Sequence, residues 1–270
     1  PFFKVMEETE ILPFYTLSHE PGVGFAADAA GRENETLGVV AVTYGAGAFN
    51  VLNAATGAYA EKSPLVIISG GPGIKESRLG VLLHHQAKTL DSQLKIFSEV
   101  TCDQVVLDNP KTAAKDIARV LRSCRELARP VYIEIPRDLT FSECEPAHPL
   151  GPSPVDEDAV KACADEIFAK LEAADNPAVM VGVEIRRYKL EKKLSILCKK
   201  LGMPVATTFM GSGLLVEDED PLIGTYMGVS GNEYVTETME SSDALLLLGV
   251  IISDTNFGVS EARININHTI

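Results

Sequence analysis

The stretch DQVVLDNPKTAAKDIARVLRSCRELARPVYIEIP, residues 103–136, carries the reading of the fold. DQVVLD is a short apolar run of strand length, KTAAKDIARVLRSCRELA is an amphipathic helix, and RPVYIEIP is a second strand that stops on a proline. Two strands joined by a helix in this way are parallel, because a crossover of a dozen or more residues returns the chain to the same edge.

The alternation extends outward on both sides. Upstream, TLGVVAVT (36–43) and PLVIISG (64–70) read as strands around the helix FNVLNAATGAYAEK, and a short helix begins near Thr89 or Asp91. Downstream, a helix near 157–173 leads to the strand PAVMVGVE, the basic helix YKLEKKLSILCKKLG, the strand MPVATT, a helix near 232–241 and the strand DALLLLGVII. Met210 to Gly231 reads as one Gly-containing loop, and ARININHTI as the start of one more strand. Continuous apolar strands alternating with helices indicate parallel sheets covered on both faces. The fold class is therefore α/β, two doubly wound parallel-sheet domains. Between them, SECEPAHPLGPSPVDED has four prolines and no apolar period, which marks a linker. The expected division is a first domain over 1–140, a linker over 141–157 and a second domain over 158–270.

The chain opens on a helix, PFFKVMEETE, followed by the apparent strand ILPFYTL. A parallel sheet is built of strand–helix–strand units, so an earlier strand is expected upstream and the chain reads as a fragment. Its 270 residues are 46% hydrophobic and 23% charged, ordinary for a globular protein. No apolar run approaches the roughly 20 residues of a membrane-spanning helix. A net charge of −14 leaves no cationic excess for nucleic acid or anionic membranes. Five scattered cysteines without a CxxC pair point to a reducing, cytoplasmic setting rather than a disulfide or zinc framework.

Three motifs could carry chemistry. SHEPGVGFAADAAGR (18–32) reads as a turn entering a helix, with Glu20 at its mouth and Pro21 in the first helical position. The Gly/Ala body that follows has almost no bulk, so something must approach its backbone closely. Glu20 is either a structural cap or a carboxylate held for use in the positive field of the helix end. YGAGAFN (44–50) follows a strand and opens a helix, but Asn50 replaces the third glycine of a dinucleotide loop and no ribose-binding acid ends the next strand. Its glycines, Gly45 and Gly47, suit the close approach of a flat ring or another surface. Adjacent His84 and His85 lack the i, i+4 spacing of a helical metal site and should point in different directions. They are surface residues or a proton-transfer pair. No serine-hydrolase elbow, Walker loop or zinc-protease motif occurs.

Taken in order, SHEP, VTYGAGAFN, AYAEKSP, LLHHQ and RPVYIEIPRD resemble the pyrimidine-binding half of thiamine-diphosphate-dependent 2-oxo-acid decarboxylases, closest to the phenylpyruvate/indolepyruvate decarboxylase group. The resemblance continues through VEIRRYKLE, TTFMGSGLL and LLGVIISDTNF, which match the family's central domain. It implies that Glu20 contacts N1′ of the cofactor's aminopyrimidine, with Thr43, Gly45 and Gly47 near that ring. It also implies that His84 and His85 manage protons on a 2-oxo-acid substrate and its product. Gln86 is a candidate by adjacency only. The implied cofactors are thiamine diphosphate and Mg²⁺, and the implied assembly is a homodimer or homotetramer with the site at the subunit interface. The family's GDG…N metal and diphosphate motif does not occur in these residues, so no metal ligand is assigned. The chain alone is expected to be an inactive piece of a carboxy-lyase acting on aromatic or indolic 2-oxo acids. The alternatives are an acetolactate-synthase-like carboligase, against which the His pair argues, or a non-catalytic module that kept the fold.

Overall fold

The computed structural model describes residues 2–9, 13–33, 36–78, 80, 82–215, 221–254, 256 and 263–270, with only the backbone of Thr9 and Ser77. The chain divides into two compact units, Pro1–Pro152 and Ser153–Ile270.

In the first unit, helices α1 (Phe2–Thr9) and α2 (Glu20–Glu33) precede strand β1 (Gly38–Val42), followed by the short α3 (Ala46–Phe49) and α4 (Leu52–Ala60). Strand β2 (Leu65–Gly71), helix α5 (Ser92–Ser98), strand β3 (Asp103–Val106), helix α6 (Ala113–Leu127) and strand β4 (Val131–Pro136) complete it. The four strands form one parallel sheet in the order β1-β2-β4-β3. Alternation sorts the side chains. Leu65, Ile67 and Tyr132 join Val40, Val42, Ala55 and Phe97 in a core on one face. Val66, Val131 and Ile133 point the other way, onto Val120 and Cys124 of α6. Both faces are covered, so these strands carry no polar alternation.

Helix α2 starts at Glu20, and its first hydrogen bond runs from the Val23 N–H to the His19 carbonyl. Pro21 is thus in the second position, not the first, where its missing N–H is still one of the unpaired donors of a helix start. The close approach required by this helix's small residues is met inside the unit. A β-carbon on Gly38 would stand 2.1 Å from the Ala27 carbonyl oxygen, and one on Gly24 would stand 2.9 Å from Ala54 Cβ. Gly24, Ala27, Asp28 and Gly31 form this buried stripe, while Phe25, Ala26, Ala29 and Ala30 remain exposed. Asp28 accepts from Ser63 Oγ and from Arg32, whose guanidinium also pairs with Glu61. This network fastens the far end of α2.

The second unit repeats the layering. It runs α7 (Glu157–Glu172), β5 (Pro177–Val181), α8 (Glu184–Arg187), α9 (Glu191–Leu201), β6 (Val205–Thr207), β7 (Leu222–Thr225), α10 (Glu233–Glu240) and β8 (Ala244–Leu248). Its parallel sheet has the order β7-β6-β5-β8, with cores on both faces.

Three more expectations change. The described part of ILPFYTL, residues 13–17, forms no strand, and residues 10–12 lie outside the described residues. The stretch read as one loop from Met210 to Gly231 contains β7, an edge strand of four half-buried residues. The described part of ARININHTI, residues 263–270, is joined to the sheet by a parallel bridge between Leu245 and Thr269 and forms no longer strand, and Ala262 lies outside the described residues.

Candidate active site

The carboxyl ends of β1, β2 and β4 lie side by side. Val42 is in register with Ser69, and Ser69 with Glu134. Just beyond β1, the chain turns through Tyr44 and Gly45 into α3, and the candidate residues gather on the two sides of this turn.

Glu20, Thr43, Gly47 and Asn50 meet on one side. Asn50 Nδ2 donates to Glu20 Oε2 at 3.2 Å. A β-carbon on Gly47 would lie 2.6 Å from Thr43 Cγ2 and 3.3 Å from Glu20 Oε1, so only glycine lets these side chains converge. The Glu20 carboxyl is held below the usual carboxylate range, first by its own backbone N–H and then by the Asn50 amide.

His84 and His85 come to the other side. Gly45 has φ 76°, and a β-carbon there would stand 2.2 Å from the His85 carbonyl oxygen. His85 itself is left-handed at φ 65°. That conformation overturns the expectation that the two imidazoles diverge: their ring centroids are 3.8 Å apart. Gln86 closes the turn that carries them. Its N–H donates to the Leu83 carbonyl at 3.0 Å, and its Oε1 accepts the Leu83 N–H at 3.1 Å. Earlier in the same loop, the Asp138 carboxylate accepts the Ile74 and Lys75 N–H groups, and Glu76 pairs with Arg137. The loop after β2 is thereby tied to the end of β4. Among the described residues no group of three or more His, Cys, Asp or Glu is arranged to hold a metal ion.

Beneath the turn is a buried polar group that the sequence reading missed. Gln93, in the first turn of α5, accepts the Gly45 N–H at 2.6 Å, and its Nε2 lies 2.6 Å from the Tyr132 hydroxyl. Tyr132 donates to Glu134 Oε2 at 2.6 Å. Burial pushes the Glu134 carboxyl up, against the opposing effect of the Tyr132 and Gln93 hydrogen bonds. Tyr44 is pushed up by its own burial and by the Glu134 charge. One signal was readable: a carboxylate inside an otherwise continuous apolar strand must find buried partners.

Residues 1–96 match the thiamine pyrophosphate enzyme N-terminal TPP binding domain, and residues 164–270 match the thiamine pyrophosphate enzyme central domain. The chain belongs to the thiamine pyrophosphate enzymes. It is 57% identical over 270 residues to indole-3-pyruvate decarboxylase of Azospirillum brasilense, covering all of this chain and 50% of that protein. It is 32% identical over 244 residues to pyruvate decarboxylase 1 of Pisum sativum, covering 87% of this chain and 41% of that protein. It is 33% identical over 245 residues to the pyruvate decarboxylase of Aspergillus terreus, covering 88% of this chain and 43% of that protein. The chain spans about half the length of the curated relatives it matches.

In the central unit of this thiamine pyrophosphate enzyme chain, Gly182 and Gly211 serve loop packing. A β-carbon on Gly182 would stand 2.3 Å from the Gly249 carbonyl oxygen, and one on Gly211 would stand 2.7 Å from the Val181 carbonyl oxygen. The loops after β5, β6 and β8 therefore meet backbone to backbone over the strand ends, where a dinucleotide fold would need space for a pyrophosphate.

Proposed function

We propose that this chain is the pyrimidine-binding and central part of a thiamine-diphosphate-dependent decarboxylase of aromatic or indolic 2-oxo acids, releasing an aldehyde and CO2. The observation that carries this reading is the single turn after β1, which meets Glu20 through Gly47 and His85 through Gly45. The 57% identity to an indole-3-pyruvate decarboxylase supports the substrate class. When bound, the cofactor supplies the nucleophilic carbon and the electron sink of decarboxylation.

The residues present fit its aminopyrimidine end. Gly47 lets the Thr43 methyl and Glu20 Oε1 converge over its Cα while Glu20 Oε2 takes the Asn50 amide, and a ring nitrogen would meet the carboxylate so held. Glu20, ionised when open to water, would gain proton affinity as a ring excludes solvent from it. It would then hold or release a proton at Oε1. His84 and His85 would hand protons to and from substrate groups on the other side of the turn. Mg²⁺ and the diphosphate would be held by residues beyond this chain, in a cytoplasmic homodimer or homotetramer with the site at a subunit interface. Residues 1–140 would form the pyrimidine-binding domain and 158–270 the central domain, joined by the linker 141–157. No helix of the described residues is long and apolar enough to cross a membrane.

The test is CO2 release from phenylpyruvate and indolepyruvate, with thiamine diphosphate and Mg²⁺. A protein of the relatives' full length that includes this chain should be active, and the 270-residue chain alone inactive, with weak cofactor binding in a calorimetric titration. Absence of 2-oxo-acid decarboxylation in the longer protein would overturn the reading.

A further inference from the structure

Gln93 is 1% exposed, so all its polar atoms must find partners within the protein. The assignment of its amide is forced, because a backbone N–H can only donate. The Gly45 N–H at 2.6 Å therefore fixes Oε1 on that side and Nε2 on the other. Around Nε2 stand the Tyr132 hydroxyl at 2.6 Å, Ser69 Oγ at 3.0 Å, the Gly70 carbonyl at 3.2 Å and Glu134 Oε2 at 3.4 Å. Two amide protons serve these four acceptors, and the shortest contact is to Tyr132. Tyr132 then has one proton left to give, and it gives it to Glu134. The result is a one-way chain of donation, from Gly45 to Gln93, from Gln93 to Tyr132, and from Tyr132 to Glu134. It joins the turn after β1, the start of α5 and the end of β4.

We propose that Gln93 is a positioning residue that, through this chain of hydrogen bonds, holds Gly45 at the height on which His85 rests. The catalytic consequence rests on the reading of His85 as a proton-handling group; the positioning itself does not. Gln93 touches neither substrate nor cofactor in this scheme. It acts through Gly45, whose positive φ and direct contact with His85 transmit any displacement of the turn to the imidazole pair.

A pair of near-isosteric variants separates positioning from packing. Gln93→Met keeps the volume and removes both hydrogen bonds. Gln93→Glu keeps the acceptor for Gly45 but donates to Tyr132 only when protonated. The titratable groups facing this position are Tyr132 and Glu134 on β4, Tyr44 on the turn and His85 across Gly45. A second carboxyl beside Glu134 titrates high, since two neighbouring carboxylates cannot both ionise freely and Tyr132 has one proton for the two. Lowering the pH therefore restores the donor and the chain.

The experiment follows the Gly45 amide and His85 imidazole signals by NMR in the 270-residue chain labelled at glycine and histidine, each compared with wild type at the same pH. In parallel, kcat and KM for phenylpyruvate are measured in the longer protein. Gln93→Met should shift both signals at every pH and lower kcat about 10–100-fold with KM little changed, as for a misplaced catalytic group. Gln93→Glu should match it at high pH and return toward wild type as pH falls. Wild-type signals in Gln93→Met, or a pH-independent response in Gln93→Glu, would overturn the positioning role. A wild-type longer protein that decarboxylates nothing would overturn the catalytic clause alone, with the NMR result still deciding the positioning.

Discussion

Gly45 lies directly against His85, and both residues have left-handed backbones, at φ 76° and 65°. With ψ −124°, Gly45 occupies a region of backbone space that is nearly closed to other residues. The position serves two ends at once: it starts α3, and it leaves room for the loop that brings the imidazoles to the turn.

Gly45→Ala should therefore lose about 1–3 kcal/mol from backbone strain. It should also displace the His84–His85 signals in an NMR spectrum, because the added carbon would overlap the His85 backbone. Gly57→Ala is the matched control. It lies in α4, where nothing stands within 4 Å of an added β-carbon, and the exchange should gain about 0.5–1 kcal/mol. Thermal unfolding of the two variants should move in opposite directions.

On the proposed function, Glu20 handles a proton and adds little stability. In the longer protein, Glu20→Gln should slow both decarboxylation and exchange of the cofactor's C2 proton by about 10²–10⁴-fold, as for loss of a general acid or base. Unfolding of the variant should stay within about 0.5 kcal/mol of wild type, as expected for a half-exposed side chain. Exchange at the wild-type rate would remove Glu20 from the chemistry.

Asp28 is the structural counterpart. It is buried, takes the Ser63 hydroxyl and pairs with Arg32, so Asp28→Ala leaves the hydroxyl without its acceptor and takes from the guanidinium one of its two carboxylates, the other being Glu61. Urea unfolding should show a loss of about 2 kcal/mol. Ser63→Ala should cost about 1 kcal/mol, since it removes one hydrogen bond and leaves the ion pair.

Glu134 sets a pH dependence of known sign. Its folded pKa is raised by burial, so the stability it contributes is present below the ordinary carboxylate value near 4.5 and is lost as pH rises through the folded value. Glu134→Gln keeps an acceptor for Tyr132 and removes the titration. The wild type should therefore weaken relative to Glu134→Gln from about pH 4.5 upward, and the difference should stop changing below it. Melting temperatures of both proteins between pH 4 and 8 would show this. A constant difference across that range would place the cost elsewhere.

Much of this was legible in the residues themselves. Apolar runs such as PLVIISG and the spaced apolar positions of KTAAKDIARVLRSCRELA determine strand and helix locally, because burial on two faces or on one stripe imposes its period on the chain. The same holds for the turn at Gly45–Gly47 and the helix entry at Glu20, where residue chemistry restricts the backbone. Strand β7 was hidden because four half-buried residues at a sheet edge carry too little period to distinguish them from a loop. The rest depended on tertiary structure. Gly45 and Gln93 are 48 residues apart, and Gln93 and Glu134 are 41 apart. They meet because the sheet order β1-β2-β4-β3 sets those strand ends side by side under α5. The convergence of the two imidazoles depends on a left-handed His85, a conformation that an L side chain rarely adopts by its own preference. Local preference could not specify it; packing against Gly45 decides it, because that contact exists only once distant segments have come together.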